Sequence, residues 1–481
     1  MKTLSNILKA LDLPYRLIGN DVPVEAITYD SRKVEKNSLF VAIKGFNHDG
    51  HEHVEAAIKN GASVVLLEHD MDISISKVIT TDTRRALAEL SYEFYGTQYN
   101  NFDVCAITGT NGKTTMTHLL YQLCEKDNRI PALIGTLGIK TPFEHIEGER
   151  TTPESSDLAR NLSKLDKQNI SSIFMEVSSH ALILRRVHHL RFDAAVFTNL
   201  TQDHLDFHKN MEDYFHAKRQ LFYHLKTGAK AIINIDDPYG YRLYNSLEVC
   251  KVSYAVNNSD ANYFFTELKA DVNGIKGILT TPKGIISIKA PLLGNFNAEN
   301  IAGAIAIYST MYPDSKLDMN NFHFKAVPGR METIFTSKAT AVVDYAHTPD
   351  AMEKALSSAS KLEDRKNIIC VFGCGGDRDT DKRAKMGAIA EKYSDKIIIC
   401  NDNPRNEDPQ AIADDILTGI INKTKTSVCL DRAKAIEEAW MSSNNGDILM
   451  VLGKGAETYI EIKGQRLHFD DRERILELEQ H

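Results

Sequence analysis

The chain has 481 residues, of which 42% are hydrophobic and 25% charged, and its formal net charge is −8 at pH 7. This composition is typical of a globular protein, and the acidic balance argues against a dedicated nucleic-acid or anionic-membrane surface. No apolar run approaches the ~20 residues of a membrane span, and the N-terminal segment is too polar for a secretory signal. We therefore expect a cytoplasmic protein without membrane insertion, built of about three domains at roughly 150 residues each.

Residues 1–101 are predicted to form a first, small α/β domain. The N-terminal segment has the apolar spacing of an amphipathic helix. The apolar runs SLFVAIKG (38–45) and ASVVLLE (62–68) predict strands between helical stretches. The polar turn YGTQYNN (95–101) marks the end of this domain.

Residues 102–329 are predicted to form the second domain. The run FDVCAIT (102–108) predicts a strand that leads into a glycine-containing loop. After the loop, apolar residues recur at helical spacing from Met116 to Leu123, which predicts a helix. Further buried strands are predicted at SSIFMEV (171–177), DAAVFTNL (193–200) and AKAIINID (229–236). Pro328 and Gly329 interrupt the pattern near the end of the domain.

Residues 330–481 are predicted to form a third domain in which strands and helices alternate. Its predicted strands are TAVVDYAH (340–347), NIICVFG (367–373), KIIIC (396–400) and DILMVLG (447–453). Such alternation is typical of a doubly wound, Rossmann-like sheet. The expected fold class is thus α/β, with three domains.

The stretch ITGTNGKTT (107–115) differs from the usual phosphate-binding loop, because Ile107 stands where that loop has its first glycine. A strand, a glycine turn and a helix are nevertheless the setting that such a loop requires. The unpaired N–H groups of a helix N-terminus bind phosphate, Lys113 can reach a terminal phosphate, and Thr114 can bind magnesium. The alternative is a glycine turn that begins a helix, with Lys113 in solvent.

This loop is one of eleven motifs that stand in a fixed order, of which DSR at Asp30–Arg32 is the first and ten follow it. They are GTNGKTT (109–115), MEVSSHAL (175–182), FTNLTQDHLDFH (197–208), AKRQLF (217–222), GNFNAEN (294–300), PGRME (328–332), DYAHTPD (344–350), FGCGGDRD (372–379), DNPR (402–405) and GKGAE (453–457). Together they resemble the Mur ligase family over nearly the whole chain. In that family GTNGKT is the phosphate loop of a P-loop ATPase-like central domain. The resemblance implies a UDP-binding domain at 1–101, an ATP-binding domain at 102–329 and an amino-acid-binding domain at 330–481.

Within the family, the likeness is greatest to the ligase that adds the third residue of the peptidoglycan stem peptide. It implies that the D-glutamyl carboxylate of UDP-N-acetylmuramoyl-L-alanyl-D-glutamate takes the γ-phosphate of ATP, and that an amine of meso-diaminopimelate attacks the resulting acyl phosphate. The alternatives are the same reaction with L-lysine or another diamino acid such as lanthionine, a P-loop ATPase or kinase without ligation, and a non-catalytic nucleotide-binding module. We expect a monomer that binds no nucleic acid.

The resemblance also implies ATP and Mg²⁺ as cofactors and assigns residues to them. Those implied for ATP are Gly109, Thr110, Asn111, Gly112, Lys113, Thr114, Thr115, Asn297, Asn300, Arg330, Asp344 and His347. Those implied for catalysis are Lys113, Glu176, His204 and Lys218. The implied magnesium ligands are Thr114, Glu176, His204 and Lys218, the last as a carbamate.

Several of these residues have simpler interpretations. Glu176 could be an acid at the end of a strand, Lys218 a surface lysine that extends past apolar neighbours, and Asn297 with Asn300 a helix-capping pair. Carbamylation of Lys218 requires the neutral amine, which burial favours.

For the uridine nucleotide and the muramoyl dipeptide, the resemblance implies eight residues. They are Ser31, Phe46, Asn47, His48, Thr151, Thr152, Ser178 and Arg186. The chain departs from the family pattern at Leu184, where glutamine is common, and at Ala456, where histidine is usual.

For meso-diaminopimelate the resemblance implies Arg383, Asp402, Asn403, Pro404, Arg405, Gly453 and Glu457. In this pattern Glu457 holds the distal ammonium, Arg405 the second carboxylate and Arg383 the other carboxylate. A guanidinium binds a carboxylate bidentately, and lysine has no second carboxylate to offer. A salt bridge within a turn is the alternative role for Arg405.

Overall fold

The computed structural model describes residues 2–45, 48–96, 101–148, 150–204, 207–271, 274–362 and 365–480. The chain forms two compact units. One comprises residues 1–233, 239–252 and 307–313, and the other comprises 234–238, 253–306 and 314–481. Among the described residues, no helix combines the length and the apolar character needed to cross a membrane.

The first 96 residues form a five-stranded sheet covered by short helices. The strands are β1 (Lys2–Thr3), β2 (Tyr15–Ile18), β3 (Pro23–Val24), β4 (Ala26–Thr28), β5 (Ser38–Val41), β6 (Ala62–Leu67) and β7 (Ser76–Thr80), and the helices are α1 (Leu4–Leu8), α2 (Val54–Lys59) and α3 (Thr83–Tyr95). The order of the five-stranded sheet is β2-β7-β6-β5-β4, in which only β2 is antiparallel to its neighbour. The other two strands, β1 and β3, pair with each other in a separate two-stranded antiparallel sheet. The predicted first helix is present but is only five residues long.

The next segment contains the largest sheet, with order β11-β10-β9-β12-β8-β13-β14-β15. The strands are β8 (Asp103–Thr108), β9 (Pro131–Gly135), β10 (Gly138–Lys140), β11 (His145–Ile146), β12 (Ser172–Glu176), β13 (Phe192–Phe197), β14 (Leu225–Asn234) and β15 (Lys251–Tyr254), and the helices are α4 (Lys113–Lys126), α5 (Ser155–Lys167), α6 (Ser179–Ile183), α7 (Met211–Arg219) and α8 (Pro238–Ser246). Strands β9, β12, β8, β13 and β14 run parallel. Because parallel strands end at the same edge, the loops after β8, β12 and β13 lie side by side.

A three-stranded antiparallel sheet and a long helix follow. They are β16 (Phe264–Asp271), β17 (Gly274–Thr281), β18 (Gly284–Ala290) and α9 (Asn295–Met311).

The C-terminal part contains a six-stranded sheet of order β19-β20-β24-β21-β22-β23, parallel except at the β19 edge. Its six strands are β19 (Glu332–Phe335), β20 (Ala339–Asp344), β21 (Ile368–Phe372), β22 (Lys396–Ile399), β23 (Thr426–Val428) and β24 (Asp447–Leu452). Two further strands, β25 (Tyr459–Ile462) and β26 (Gln465–His468), form a separate hairpin. The helices are α10 (Pro349–Ser360), α11 (Asp381–Tyr393), α12 (Pro409–Leu417), α13 (Arg432–Ser442) and α14 (Asp471–Gln480). Buried apolar side chains lie on both faces of this sheet, as a doubly wound fold requires. The predicted strands in all three parts of the chain are thus confirmed.

Candidate active site

The loop 109–112 joins β8 to α4 and has the shape of a phosphate-binding loop. Gly109 has a φ of +146°, and a Cβ there would lie 1.8 Å from Thr198 Oγ1, so only glycine fits. The loop is also held from the end of β13, because the Asn111 N–H donates to Asn199 Oδ1 (2.9 Å). Thr198 Oγ1 donates to the Asn111 carbonyl (2.6 Å). The loop is therefore fixed at the start of a 14-residue helix, whose N-terminus attracts anions.

The side chain of Lys113 lies over the loop. Its Nζ donates to the carbonyls of Gly109 and Thr110, both at 2.9 Å. The ammonium is thus within the loop itself, and the alternative of a lysine extended into solvent does not describe this geometry.

Glu176 ends β12 and contacts the first turn of α4. Its carboxylate is buried, with 1% exposure, and its Oε2 accepts hydrogen bonds from Thr114 Oγ1 (3.0 Å) and Thr136 Oγ1 (3.1 Å). Its Oε1 accepts from the Thr136 N–H (2.9 Å). A buried carboxylate beside a threonine hydroxyl and a phosphate loop offers the oxygen donors that Mg²⁺ prefers, so these residues fit the implied metal.

Lys218 on α7 is more deeply buried than its sequence setting suggested, with 1% exposure. Its Nζ donates to the Gly109 carbonyl (2.8 Å) and lies 4.5 Å from the centre of the Tyr214 ring. Burial, and then the charge of Lys113, lower the pKa of Lys218 well below its usual value. The amine is therefore close to the phosphate loop and poised to be neutral.

His204 lies on the loop after β13, next to the aromatic side of this site. It has a left-handed backbone, with φ +52°. Its Nε2 is 3.4 Å from Asp203 Oδ2, and its ring is 4.9 Å from that of His180 and 6.3 Å from that of Tyr214. Because the same Tyr214 ring faces Lys218, the structure brings these two implied ligands to the same neighbourhood. Both side chains therefore lie near the Tyr214 ring.

The residues implied for the muramoyl dipeptide meet at the carboxyl end of β12. Thr152 Oγ1 donates to the Glu176 carbonyl (2.9 Å) and accepts from the Ser178 N–H (3.1 Å). Arg186 Nη1 donates to the Thr152 carbonyl (3.1 Å). Thr151 Oγ1 lies 3.1 Å from Thr136 Oγ1, and Thr136 in turn holds Glu176. This group is thus continuous with the proposed metal site.

A cavity of about 170 Å³ lies beside this group and is lined by Tyr29, Arg150, Glu154 and Arg160, among others. The buried Glu154 carboxylate lies 3.2, 3.8 and 3.9 Å from nitrogens of Arg186, Arg150 and Arg84, respectively. The lining itself carries three basic residues, Lys33, Arg150 and Arg160, and three acidic ones, Glu147, Glu154 and Asp157, so its formal charge is balanced.

In the first sheet, Ser31 and His48 follow the neighbouring parallel strands β4 and β5. Ser31 begins a short 3-10 turn, and its carbonyl accepts from Asn60 Nδ2 (2.9 Å). The His48 carbonyl accepts a hydrogen bond from the Gly45 N–H (2.8 Å). The candidates Phe46 and Asn47 lie outside the described residues.

Five residues implied for ATP belong to the second unit. Asn297 Nδ2 donates to the Leu293 carbonyl (2.8 Å), and Asn300 Nδ2 donates to Asn297 Oδ1 (2.9 Å). In these contacts the amides donate to acceptors, which differs from the helix cap considered above, where the side-chain oxygen accepts from a backbone N–H. Of the other three residues, Arg330 precedes β19, Asp344 is the last residue of β20, and His347 follows β20. The Asp344 carboxylate accepts from the Met331 and Ala346 N–H groups (2.7 and 2.9 Å), Arg330 lies 4.9 Å from the Tyr345 ring, and His347 Nδ1 contacts the Tyr345 carbonyl (2.8 Å).

Of the seven residues implied for the amino acid, six lie on the loops after β22 and β24, and Arg383 lies on α11. Gly453 has a φ of +113°, and a Cβ there would lie 2.4 Å from Asp402 Oδ2, so the two loops touch. Asn403 Nδ2 donates to Glu457 Oε2 (3.0 Å). Pro404 lies in the same loop, and its carbonyl would be 2.0 Å from a Cβ at Gly376. The structure thus brings these distant motifs together.

The two implied arginines are already paired with acids. Arg383, 2% exposed, donates from Nη1 to Asp415 Oδ2 (2.9 Å) and from Nη2 to both Glu407 oxygens (2.9 and 3.0 Å). Arg405, in a left-handed conformation with φ +52°, donates from Nε to Glu461 Oε2 (3.3 Å) and from Nη1 to the Gly376 carbonyl (2.7 Å). The salt bridge considered as the alternative for Arg405 is therefore present.

Sequence reasoning missed several residues that build these sites. They are Thr136, Glu154, Thr198, Tyr214 and Lys454. Lys454 and Thr198 belong to the quoted motifs GKGAE and FTNLTQDHLDFH, and Glu154 stands two residues after the candidate Thr152, so their positions were an available signal. Thr136 and Tyr214 carried no such signal.

The chain aligns with known proteins over nearly its whole length. Family models match residues 23–95 (Mur ligase family, catalytic domain), 107–308 (Mur ligase middle domain) and 329–455 (Mur ligase, glutamate ligase domain). A UDP-N-acetylmuramoyl-L-alanyl-D-glutamate–2,6-diaminopimelate ligase from Clostridioides difficile strain 630 is 41% identical over 98% of each chain. The chain belongs to the Mur ligase family. Another ligase of the same name, from Aquifex aeolicus, is 40% identical over 95% of this Mur ligase and 93% of its own length.

Solved structures show the same architecture as this Mur ligase. A structure of UDP-N-acetylmuramoyl-L-alanyl-D-glutamate–2,6-diaminopimelate ligase covers 95% of both chains with a TM-score of 0.66 and 30% identity. MurF ligase from Thermotoga maritima in complex with ADP covers 95% of this chain and 97% of its own with a TM-score of 0.64 and 18% identity. The three-domain α/β fold predicted from the sequence is thereby confirmed, whereas the domain boundaries stay predictions.

Proposed function

We propose that this Mur ligase adds meso-diaminopimelate to UDP-N-acetylmuramoyl-L-alanyl-D-glutamate at the expense of ATP, in peptidoglycan biosynthesis. The geometry that carries the proposal is the contact between Thr114 and Glu176, because it joins a phosphate loop to a buried carboxylate at the end of a parallel strand. The choice of substrates is supported by sequence identities of 41% and 40% with diaminopimelate ligases over nearly the whole chain.

In the first step, the D-glutamyl carboxylate attacks the γ-phosphorus of ATP, and ADP leaves. Such a transfer requires alignment and neutralisation of charge more than covalent help from the protein. Lys113 and the N–H groups at the start of α4 hold the phosphates. Thr114, Glu176, His204 and a carbamate of Lys218 would hold Mg²⁺, which neutralises phosphate charge when bound.

In the second step, an amine of the incoming amino acid attacks the acyl carbon, inorganic phosphate leaves, and the amine loses a proton. Glu457 binds the distal ammonium and Arg405 the second carboxylate. Thr151, Thr152, Ser178 and Arg186 bind the muramoyl dipeptide, and Ser31 with the residues at 46–48 binds the uridine nucleotide. Asn297, Asn300, Arg330, Asp344 and His347 bind the rest of ATP.

A second candidate is the same ligation with a diamino acid that lacks the second carboxylate, such as L-lysine. The ion pair between Arg405 and Glu461 favours it, because a neutralised guanidinium attracts a substrate carboxylate less strongly.

The test is a product assay. The protein is incubated with ATP, Mg²⁺ and the UDP-dipeptide, each amino acid is added in turn, and released phosphate and product mass are measured. We expect release that requires the UDP-dipeptide and is fastest with meso-diaminopimelate. Lys113→Ala is the control, since it removes the loop cation from a surface loop without opening the core. Phosphate release without the UDP-dipeptide would instead identify a simple ATPase, and full turnover by a folded Lys113→Ala variant would refute the ATP site.

A further inference from the structure

Lys454 is a completely buried lysine in the loop after β24, with 0% exposure. Its Nζ donates to Asn403 Oδ1 (3.0 Å) and Glu457 Oε2 (3.2 Å), and it lies 3.8 Å from Asp402 Oδ1. All three partners belong to the group implied for the amino-acid substrate, whereas Lys454 itself does not.

The position of Lys454 in the sheet explains what these contacts do. The partners Asp402 and Asn403 follow β22, Glu457 follows β24, and β21 lies between these two strands. The ammonium therefore joins two loops across the end of an intervening strand. A lysine suits this role because a single Nζ carries three donors.

The contacts of Lys454 also fix the orientation of the Asn403 amide and the Glu457 carboxylate. Asn403 Oδ1 accepts from Lys454 and from the Glu461 N–H (2.9 Å), so its Nδ2 must face Glu457 Oε2, to which it donates at 3.0 Å. Glu457 Oε2 thus receives two hydrogen bonds. Within the described part of the chain, Oε1 of Glu457 makes no hydrogen bond, which leaves it to receive a ligand ammonium.

The ammonium of Lys454 compensates the negative charges in this cluster. Asp402 and Glu457 are two carboxylates near one buried cation, and without that cation they would repel each other in a poorly solvated setting. Removing one member of a buried charged cluster leaves the remaining charges uncompensated. The carboxylates would then turn apart or take up a proton, and either change would weaken an ammonium site.

We propose that Lys454 is a positioning residue for the amino-acid substrate: it holds Glu457 so that Oε1 faces the substrate ammonium. This inference rests on the proposed function, in which the loops after β22 and β24 bind the amino acid. Lys454 acts through Glu457 and does not touch the reacting atoms.

The test compares steady-state constants of wild type, Lys454→Met, Glu457→Gln and the double variant, with the amino acid that wild type uses best. Lys454→Met should raise the KM for the amino acid at least about tenfold, which corresponds to about 1.4 kcal/mol of binding. The KM values for ATP and the UDP-dipeptide should change less than about twofold. Because Lys454 acts through Glu457, the double variant should be no worse than Glu457→Gln alone. Lys385→Met, at an exposed position on α11, is the control for loss of one lysine charge.

Three outcomes would overturn the role of Lys454. They are an unchanged KM for the amino acid, an equal rise in all three KM values, and additive effects of the two substitutions. If Lys454→Met does not fold, the KM of the double variant is compared with that of Glu457→Gln instead. The double variant should fold more readily, because Glu457→Gln removes a carboxylate that Lys454→Met would leave uncompensated. Failure of both to fold would make Lys454 a residue of the fold alone. Failure of the proposed function itself would appear separately, as wild-type protein that consumes ATP without dependence on any amino acid.

Discussion

Arg432 and Asp471 form a bidentate ion pair in which both side chains are completely buried. Arg432 Nε and Nη2 donate to the two Asp471 oxygens, each at 2.7 Å, and both side chains have 0% exposure. The guanidinium also donates to the carbonyls of Leu452 (3.1 Å) and Asn401 (3.3 Å). These carbonyls directly precede the loops that carry Gly453 and Asp402, so the pair anchors the base of the proposed amino-acid site.

Substitution of either member of this pair should strongly destabilise the C-terminal part of the chain. Removing one partner leaves a buried charge uncompensated, so Arg432→Met and Asp471→Asn should each lower the free energy of unfolding by about 3–5 kcal/mol. The double variant should lose less than the sum of the two. Urea unfolding followed by tryptophan fluorescence is a direct measurement, because the single tryptophan, Trp440, lies on α13 with Arg432. Additive losses would show that the two residues are not coupled.

We predict that Lys218 works as a carbamate. Burial lowers the pKa of Lys218 and so favours the neutral amine, which is the form that reacts with CO₂. Lys218→Ala should reduce ligation at least about a hundredfold, since even indirect partners of a metal are worth 10–100-fold. Added short-chain carboxylates should restore part of the activity.

The modification itself can be observed by carbon-13 NMR with labelled bicarbonate. Lys226→Ala is a suitable control for the label, because Lys226 is paired with Asp193 at 2.9 Å and is partly exposed. A carbamate signal that survives in Lys218→Ala, or an unmodified ammonium in active enzyme bound to ATP, would end the carbamate hypothesis.

Arg405 should select meso-diaminopimelate over lysine. A charged hydrogen bond is worth roughly 1.5–3 kcal/mol, so Arg405→Ala should lower kcat/KM for meso-diaminopimelate about tenfold to a hundredfold, mainly through KM. It should gain little lysine activity, because removing the guanidinium of Arg405 does not by itself create a site that binds lysine. The measurement is kcat/KM for both amino acids at saturating ATP and UDP-dipeptide.

The ion pair of Arg405 provides the matched variant. Glu461→Gln retains a side chain of the same size but removes the carboxylate that competes for the guanidinium. It should therefore lower the KM for meso-diaminopimelate severalfold while Arg405→Ala raises it. If wild type prefers lysine, or if Arg405→Ala keeps full efficiency with meso-diaminopimelate, Arg405 is not the selector.

Glu299 on α9 should make stability depend on pH. Burial, and then the charge of Asp236, raise the pKa of Glu299 to about 7, against a hydrogen bond from Asn234 Nδ2 (3.0 Å) that lowers it. A raised pKa means that the folded state favours the neutral acid. Its contribution to stability is thus complete below the unfolded pKa of 4.5 and is lost as the pH rises through about 7.

Glu299→Gln keeps an acceptor for Asn234 but carries no charge at any pH. The variant should match wild type near pH 4, below the unfolded pKa, and exceed it by about 1–3 kcal/mol at pH 8. Thermal unfolding at both pH values measures this, with Glu267→Gln on the exposed face of β16 as the control for loss of one glutamate. An equal change in Tm at both pH values would contradict the expected titration.

Much of the fold and part of the site could be predicted from the sequence because they depend on near neighbours in the chain. Apolar runs such as 447–453 are strands in the structure, and Gly109 and Gly112 lie in the loop where the helix begins. Glu176 lies at the end of its strand, as the pattern indicated. These features follow from backbone geometry, from side-chain periodicity and from the unpaired N–H groups of a single helix.

Contacts between residues far apart in the chain were decided only by the tertiary structure. The pairs Thr136–Glu176, Arg405–Glu461 and Arg432–Asp471 are separated by 40, 56 and 39 residues, and no local pattern joins their members. Their hydrogen bonds exist because parallel strands bring distant loops to one sheet edge, and because burial forces charged groups to find partners there. For the same reason the sequence marks Lys454 only as a member of the motif GKGAE, whereas packing against Asn403 and Glu457 makes it part of the proposed amino-acid site.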